Sequence, residues 1–427
     1  MIVTMKPGPI RGEVFAIPSK SHLHRLLICA ALANKNTVIS CEHTGAEDIK
    51  ATVACLEALG AKITKLEDGF DVVPIDRKKL PENCVLPCKE SGSTFRFMLP
   101  VVCALGVTGE FYMEGRLPER PIAPLDGQLT SKGITLSKPT PTTLRCEGQL
   151  EPGSYTLPGN VSSQYISGLL MALPLLEADS TLEITEDIQS GDYIEITLDV
   201  GREFGIQHQL SNQTYTIKGN TEYKSPAHVV ADGDWSNGAF WLACGAMPGG
   251  DVTLKRMNSN SLQGDRRMAD ILEQIGANLS WDGDRITVKE KQRNATRIDA
   301  GTIPDLIPVI SAILSVANGT SVITNASRLR IKESDRLATT ASTLNALGAK
   351  ITELEDGLII EGVPSLKGGT VDAYIDHRIA MTAAVASLVC TEPVVLTGAQ
   401  AVNKSYPKLW EDFGKLGKQL VLSEEGV

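Results

Sequence analysis

The sequence predicts an α/β protein of two globes, each holding three copies of one sheet-and-helix unit. Three observations predict it. The first is a glycine that recurs after a helix-like stretch. The segments LEALGAKI, LTSKGITL, GREFGIQH, LEQIGANL, LNALGAKI and FGKLGKQL place Gly60, Gly133, Gly205, Gly276, Gly348 and Gly417 at intervals of 73, 72, 71, 72 and 69 residues. A helix C-cap asks for positive φ, which glycine adopts without strain. The second is a polar residue opening an apolar stretch at Ser21, Ser91, Ser162, Asp234, Asp305 and Asp376, spaced 70, 71, 72, 71 and 71. The third is a hairpin signal after the glycine. Asp68-Gly69, Asp282-Gly283 and Asp356-Gly357 each sit between alternating apolar residues, the strongest short-range sign of a tight turn.

The elements follow in order within each unit. The opening helices, HRLLICAALA, FRFMLPVVCALG, YISGLLMALPLL, GAFWLACGA, LIPVISAILSVA and RIAMTAAVASLVC, are apolar nearly all round, as buried helices are. The second helix of a unit, such as TVACLEALG or TLNALG, is amphipathic and is expected outside. Strand, turn and strand complete the unit, with QHQLSNQTYTIKG a fainter copy of the hairpin. The last copy is short: one strand, KQLVL, follows Gly417, and GEVFAI near the N-terminus is expected to be its partner. Residues 1–18 are therefore placed with 233–427 in a C-terminal globe, and 19–232 form an N-terminal globe. The crossovers near Pro18 and Gly233 are expected to act as a hinge, closing the globes over a ligand.

Composition removes several classes. Apolar content of 42% and charge of 22% are ordinary for a globular chain. No apolar run approaches the roughly 18 residues of a membrane span, and MIVTMKPGPIRGEV lacks a signal-peptide core. Nine cysteines, an odd number, fit reduced thiols in a cytoplasm. Cys84 and Cys88 are the one close pair, and nothing beside them completes a zinc site. A net charge of −10 argues against nucleic acid, yet leaves room for a small anionic substrate. No P-loop, GxGxxG or metal-ligand spacing is present, so neither cofactor nor metal is expected.

The polar clusters lie at helix starts, where free N–H groups and the helix dipole favour anions. Lys20, Ser21 and Arg25 flank the first, with His22 and His24 read as packing or surface residues. Ser91-Gly92-Ser93-Thr94-Phe95-Arg96 opens the second, and Gly92 lets a ligand approach the backbone. Arg116 and Arg120 stand in a proline-bounded loop. Ser162, Ser163 and Gln164 open the third, and Ser190 and Tyr193 follow the next strand. Asp234 is read as a structural cap. In the C-terminal half, Asp305 precedes an apolar helix, and residues 328–336 pack six ionisable groups, among them Arg328, Lys332, Glu333 and Arg336. His377 and Arg378 open the last buried helix, and Lys404 lies in AVNKSYP. Two carboxylates, a histidine and many cations suit general acid–base work on an anionic substrate. A non-catalytic anion-binding module would leave Asp305, Glu333, His377 and Lys404 unexplained.

At these residues the chain resembles the 5-enolpyruvylshikimate-3-phosphate synthase family. The resemblance rests on PSKSHLHR (18–25), SGSTFR (91–96), ERPI (119–122), SSQ (162–164), NSLQGD (260–265), RIKESDR (330–336) and DHRIAM (376–381), and covers essentially the whole chain. It implies two globes of three βαβαββ units, each an inside-out α/β barrel, with the active site in the cleft between them. It implies transfer of the enolpyruvyl group of phosphoenolpyruvate to the 5-hydroxyl of 3-phosphoshikimate by addition and elimination. Lys20, Ser21, Arg25, Ser162, Ser163, Gln164, Ser190, Asp305 and Lys332 would hold 3-phosphoshikimate. Lys20, Gly92, Arg120, Gln164, Arg336, Arg378 and Lys404 would hold phosphoenolpyruvate. Asp305, Glu333, Lys20, Lys404 and His377 would be catalytic. The expected partners are these small molecules; with the composition above, a cytoplasmic monomer is expected, without nucleic acid or membrane.

The chain departs from the family at Glu90 (usually Asn), Ser93 (Thr), Phe97 (Pro) and Arg328 (often Asn). The first three bear on the response to glyphosate. The transferase acting on UDP-N-acetylglucosamine is the alternative. That family carries a reactive cysteine in the loop that here reads GRLPERP, and usually has Asn where this chain has Ser21.

Overall fold

The computed structural model describes residues 1–42 and 45–424. The chain divides into two compact units. Among the described residues, one holds Met1–Ile17, Gly45, Ala46 and 232–424; the other holds 18–42 and 47–231.

Among the described residues six four-stranded sheets carry the fold, and all follow one plan. An edge strand pairs in parallel with a second strand, and the second pairs antiparallel with one arm of a hairpin whose other arm is the far edge. In the Pro18–Ala231 unit the first sheet runs His228–Val230, Thr37–Ser40, Gly69–Val73, Lys62–Leu66. The next runs Asn83–Lys89, Thr108–Met113, Thr143–Gly148, Ile134–Thr140, and the third Ser154–Pro158, Ser180–Thr185, Thr214–Ile217, His208–Ser211. The other unit repeats the plan with Arg11–Phe15, Asp251–Lys255, Arg285–Lys289, Asn278–Asp282 and with Arg297–Asp299, Thr320–Thr324, Gly357–Glu361, Lys350–Leu354.

The sixth sheet corrects one expectation. Its order is Gly369–Asp372, Val394–Thr397, Ile2–Met5, Leu420–Ser423. The missing hairpin arm is Ile2–Met5, whereas GEVFAI forms the parallel edge of the Asp251–Lys255 sheet. Both N-terminal stretches can extend, and only long-range pairing decides between them.

Each sheet is served by two helices. The first of each pair, Lys20–Leu32, Gly92–Leu105, Ser163–Ala172, Trp235–Ala246, Ile307–Leu314 and His377–Ala386, is buried over most or all of its length. In the C-terminal unit these three helices contact one another and form the heart of its core. The second of each pair, Glu47–Ala58, Leu125–Thr130, Asp192–Glu203, Arg267–Ile275, Arg336–Ala346 and Leu409–Lys415, alternates buried and exposed positions. All six repeat glycines have positive φ, from 78° at Gly205 to 102° at Gly60. In the faint hairpin, Asn212 and Gln213 take φ of 47° and 63°, the left-handed pair that a two-residue turn between twisted strands requires. Among the described residues no helix is long and apolar enough to cross a membrane.

Candidate active site

Because every buried helix starts after an edge strand, the plan of the sheets brings polar helix starts into the core of each unit. The two units fill these starts differently.

In the Pro18–Ala231 unit, Ser19 rather than Ser21 caps the first helix, its hydroxyl accepting from the His22 amide at 3.3 Å. Lys20 becomes the first helical residue, and its ammonium meets Asp48 Oδ2 at 2.7 Å. Ser21 lies in the first turn and offers its carbonyl to Arg25 Nη1 at 2.6 Å. Arg25 is 2% exposed. It donates further to Thr197 Oγ1 at 2.6 Å, Tyr193 O at 2.8 Å and Ser167 Oγ at 3.3 Å, and stacks 4.6 Å from the Phe97 ring centre. All these acceptors are neutral, and burial lowers the Arg25 pKa to about 9. His24 is a packing residue: buried, hydrogen-bonded to Thr52 at 2.7 Å, and pushed down to about 3 by burial.

The second and third helix starts converge. Ser91 caps its helix by accepting from Thr94 N at 3.3 Å. A Cβ on Gly92 would stand 2.6 Å from Arg96 Nη1 and 2.8 Å from Arg120 Nη1, so only glycine lets both guanidinium groups lie over the helix start. Arg96 donates to Gln164 Oε1 at 3.2 Å, and Gln164 donates to Ser93 Oγ at 3.0 Å. Gly92, Ser93, Arg96, Arg120 and Gln164 therefore form one cluster. Ser162 occupies the N-cap position of the third helix and Ser163 is buried just inside it. Ser190, buried at φ 57°, precedes the helix that carries Tyr193 and Thr197, both contacts of Arg25.

In the C-terminal unit one guanidinium gathers three carboxylates. Arg336, 1% exposed, donates Nη1 to Asp305 at 2.8 Å, Nη2 to Glu333 at 2.8 Å, and Nε to Asp376 at 2.8 Å. Asp376 also caps the helix carrying His377 and Arg378, accepting from the Arg378 amide at 2.9 Å and from Ser334 Oγ at 2.9 Å. Asp305 does not act as a cap. It sits in the turn Pro304–Leu306, where Arg378 Nη2 lies 3.3 Å and Lys332 Nζ 3.6 Å from its carboxylate. Arg378 is fixed from behind by the Ser236 carbonyl at 2.7 Å and the Phe240 ring at 5.7 Å. His377 is buried, with Nδ1 3.7 Å from Asp376 Oδ1. Lys404 is buried at the end of Ala399–Lys404.

The electrostatics follow from this packing. Burial alone would raise the Asp305 pKa, but Lys332, Arg378 and Arg336 outweigh it and hold the carboxyl well below the usual range. Burial also opposes the Arg336 cation; Asp376, Glu333 and Asp305 more than offset it, and Arg336 stays charged. Lys332 is pushed down to about 8, chiefly by burial, with Asp305 opposing the shift.

Reading the sequence did not find Asp48, Thr197 or Ser334, nor the arginine-binding role of Asp376. Asp48 did leave a trace, since Asp48, Thr52 and Cys55 share the buried face of an outer helix. Thr197 and Ser334 have no local signal, because what marks each is a partner far away in sequence, Arg25 for Thr197 and Asp376 for Ser334.

The repeated sheets and their helix starts are shared with solved proteins. An EPSP synthase from Acinetobacter baumannii is similar with a TM-score of 0.80 at 24% identity, covering 99% of this chain and 100% of that one. The enolpyruvyl transferase NikO from Streptomyces tendae is similar with a TM-score of 0.77 at 17% identity, covering 98% of each. The fold is thus that of the enolpyruvyl transferases. A family model described as EPSP synthase (3-phosphoshikimate 1-carboxyvinyltransferase) matches residues 4–413. Proteins named 3-phosphoshikimate 1-carboxyvinyltransferase from Clostridium acetobutylicum and Clostridium beijerinckii are 41% identical over 424 residues and 42% over 422. These alignments cover 97% and 96% of this chain, and the same shares of theirs. The chain belongs to the EPSP synthase (3-phosphoshikimate 1-carboxyvinyltransferase) family. It is an enzyme of the shikimate pathway toward chorismate and the aromatic amino acids, and it moves the carboxyvinyl group of phosphoenolpyruvate to the 5-hydroxyl of 3-phosphoshikimate. UDP-N-acetylglucosamine, the alternative acceptor, is not favoured by these relatives.

Proposed function

We propose that Asp305 and Glu333 carry the proton transfers of this reaction, and that the cations around them and those of the other unit hold its two anions. The observation that supports this is the Arg336 guanidinium shared by Asp305, Glu333 and Asp376. Phosphoenolpyruvate is taken by Arg336, Arg378 and Lys404 together with Lys20, Gly92, Arg120 and Gln164. 3-Phosphoshikimate is taken by Lys20, Ser21, Arg25, Ser162, Ser163, Gln164 and Ser190, with Asp305 and Lys332.

The 5-hydroxyl attacks C2 of phosphoenolpyruvate while its proton passes to Asp305. C3 receives a proton from Glu333, giving a tetrahedral intermediate. Glu333 then removes a methyl proton as the C–O bond to phosphate breaks, restoring the vinyl group, and the departing phosphate takes up the proton held by Asp305, so that both carboxyl groups return to their starting states. Lys20 and Lys404 offset charge on the phosphate and carboxylate, and His377 serves with them beside Asp376.

The ion pairs add a condition. Held by three cations, Asp305 is a weak base. A substrate carboxylate or phosphate competes for the same donors. Each contact that Arg336, Arg378 or Lys332 gives to substrate raises the proton affinity of Asp305, moving it toward the value a general base needs. Lys20 makes the same exchange, leaving Asp48 for a substrate oxygen. On this reading the enzyme works as a cytoplasmic monomer without metal or cofactor.

A coupled phosphate-release assay tests it. Phosphate is expected only when phosphoenolpyruvate and 3-phosphoshikimate are both present, with or without a chelator. Release with UDP-N-acetylglucosamine in place of 3-phosphoshikimate would overturn the acceptor and the residue roles built on it.

A further inference from the structure

The motif Asn260–Asp265 has so far no part in the reaction, yet it wraps the start of the buried helix Trp235–Ala246. Gln263 accepts from the Trp235 amide at 3.1 Å and donates to Gly233 O at 2.7 Å. Asp265 is 2% exposed and accepts a hydrogen bond from the Ser236 hydroxyl. The carbonyl of that same Ser236 holds Arg378 Nη1 at 2.7 Å, and Arg378 Nη2 reaches Asp305 at 3.3 Å. Phe240, one turn along the helix, packs against the Arg378 guanidinium. A continuous path therefore runs from a buried carboxylate through Ser236 to Arg378 and Asp305.

We propose that Asp265 is a positioning residue for phosphoenolpyruvate: by fixing Ser236 it sets where Arg378 presents its guanidinium. The inference rests on Arg378 being a phosphoenolpyruvate ligand. A buried carboxylate costs stability unless its charge is used, and here it accepts from the serine whose carbonyl holds the substrate-binding arginine. The charged groups bearing on Asp265 are Asp305, Arg378 and Asp234. Burial first, then Asp305, push its pKa up to about 7, with Arg378 opposing. The ionised carboxylate accepts from Ser236 with full strength, so protonation below neutral pH loosens the path.

Steady-state kinetics on Asp265→Ala, Asp265→Asn, Ser236→Ala, the Asp265→Ala/Ser236→Ala double variant and Arg378→Ala test it. Asp265→Ala and Ser236→Ala are each expected to raise KM for phosphoenolpyruvate about tenfold, the worth of one charge-assisted hydrogen bond. The 3-phosphoshikimate Kd should stay within about twofold, because its other contacts remain. The double variant should be no worse than either single, since both cut one path. Asp265→Asn keeps an acceptor and should retain most activity while losing any acid limb near pH 7 in kcat/KM for phosphoenolpyruvate. Equal loss for both substrates, or additive losses in the double variant, would overturn the inference. Should Asp265→Ala fail to fold, Ser236→Ala and Asp265→Asn still decide. An unchanged phosphoenolpyruvate KM in Arg378→Ala would instead refute the ligand assignment beneath it. A raised one, with Asp265 and Ser236 variants unaffected, would remove this inference alone.

Discussion

The two units repeat one backbone plan and neutralise their buried cations in opposite ways. In the Pro18–Ala231 unit, Arg25 donates to hydroxyls and carbonyls, Arg96 donates to the Gln164 amide oxygen and the Pro121 carbonyl, and Lys20 meets the Asp48 carboxylate. In the C-terminal unit, Arg336 and Arg378 rest on Asp305, Glu333 and Asp376. Neutral acceptors position a cation and leave its charge available to a ligand. Carboxylates cancel the charge and become bases when a ligand takes it away. One supersecondary plan thus carries two electrostatic settings, and the difference lies in which residues occupy the helix starts.

The largest effect that could break this contrast is catalytic. Asp305→Ala and Glu333→Ala should each lower kcat by ~10²–10⁴-fold, with 3-phosphoshikimate affinity changing far less. A similar kcat loss in Arg25→Ala at saturating substrate would show that the chemistry is not confined to the carboxylate half.

Stability sharpens the same contrast. Arg336→Ala leaves the fully buried Asp376 facing other carboxylates, a loss of about 3–5 kcal/mol for a broken buried pair. Arg25→Ala leaves only neutral groups unpaired, a loss of about 1–3 kcal/mol. Thermal unfolding of the two variants should rank them in that order, and the reverse ranking would contradict the division.

A subsite prediction is smaller. Arg120→Ala should raise KM for phosphoenolpyruvate about tenfold and leave 3-phosphoshikimate binding nearly intact, read by isothermal calorimetry beside the kinetics. Equal weakening of both ligands would mean that the cluster over Gly92 serves the two together.

The smallest effect is in the pH dependence of stability. Asp305 has a folded pKa below its unfolded value of about 3.9. Its contribution is present above that value and is lost as pH falls toward the folded pKa, at on the order of 1 kcal/mol per pH unit. Melting temperatures between pH 5 and 3 should therefore fall less steeply for Asp305→Asn than for the parent chain. Parallel curves would show that the ion pairs do not hold in solution.

The repeat was legible because its signals are local. A C-cap glycine, an Asp-Gly turn and an all-apolar helix each declare themselves within a few residues. Candidate-site residues carried on motif segments, such as Lys20, Arg336 and Arg378, stand out in the sequence for the same reason. What the sequence hid depends on pairing at a distance. The first helix has two serines at its start, and only the backbone turn assigns the cap to Ser19. Asp376 reads as a cap and is one, but its bond to Arg336 joins residues 40 apart. The exchange of Ile2–Met5 for GEVFAI in the last sheet is a choice between two plausible strands that no local pattern makes.

That last sheet has a consequence for how the chain is made. Ile2–Met5 lies inside the sheet, between Val394–Thr397 and Leu420–Ser423. At roughly 5–20 residues per second of synthesis, about 390 residues of delay mean ~20–80 s before its first partner emerges from the ribosome. The unit of Pro18–Ala231 closes its own first sheet with His228–Val230 and needs nothing made later. During translation one half can fold around its own ends while Ile2–Met5 of the other waits about 390 residues for the strand it pairs with.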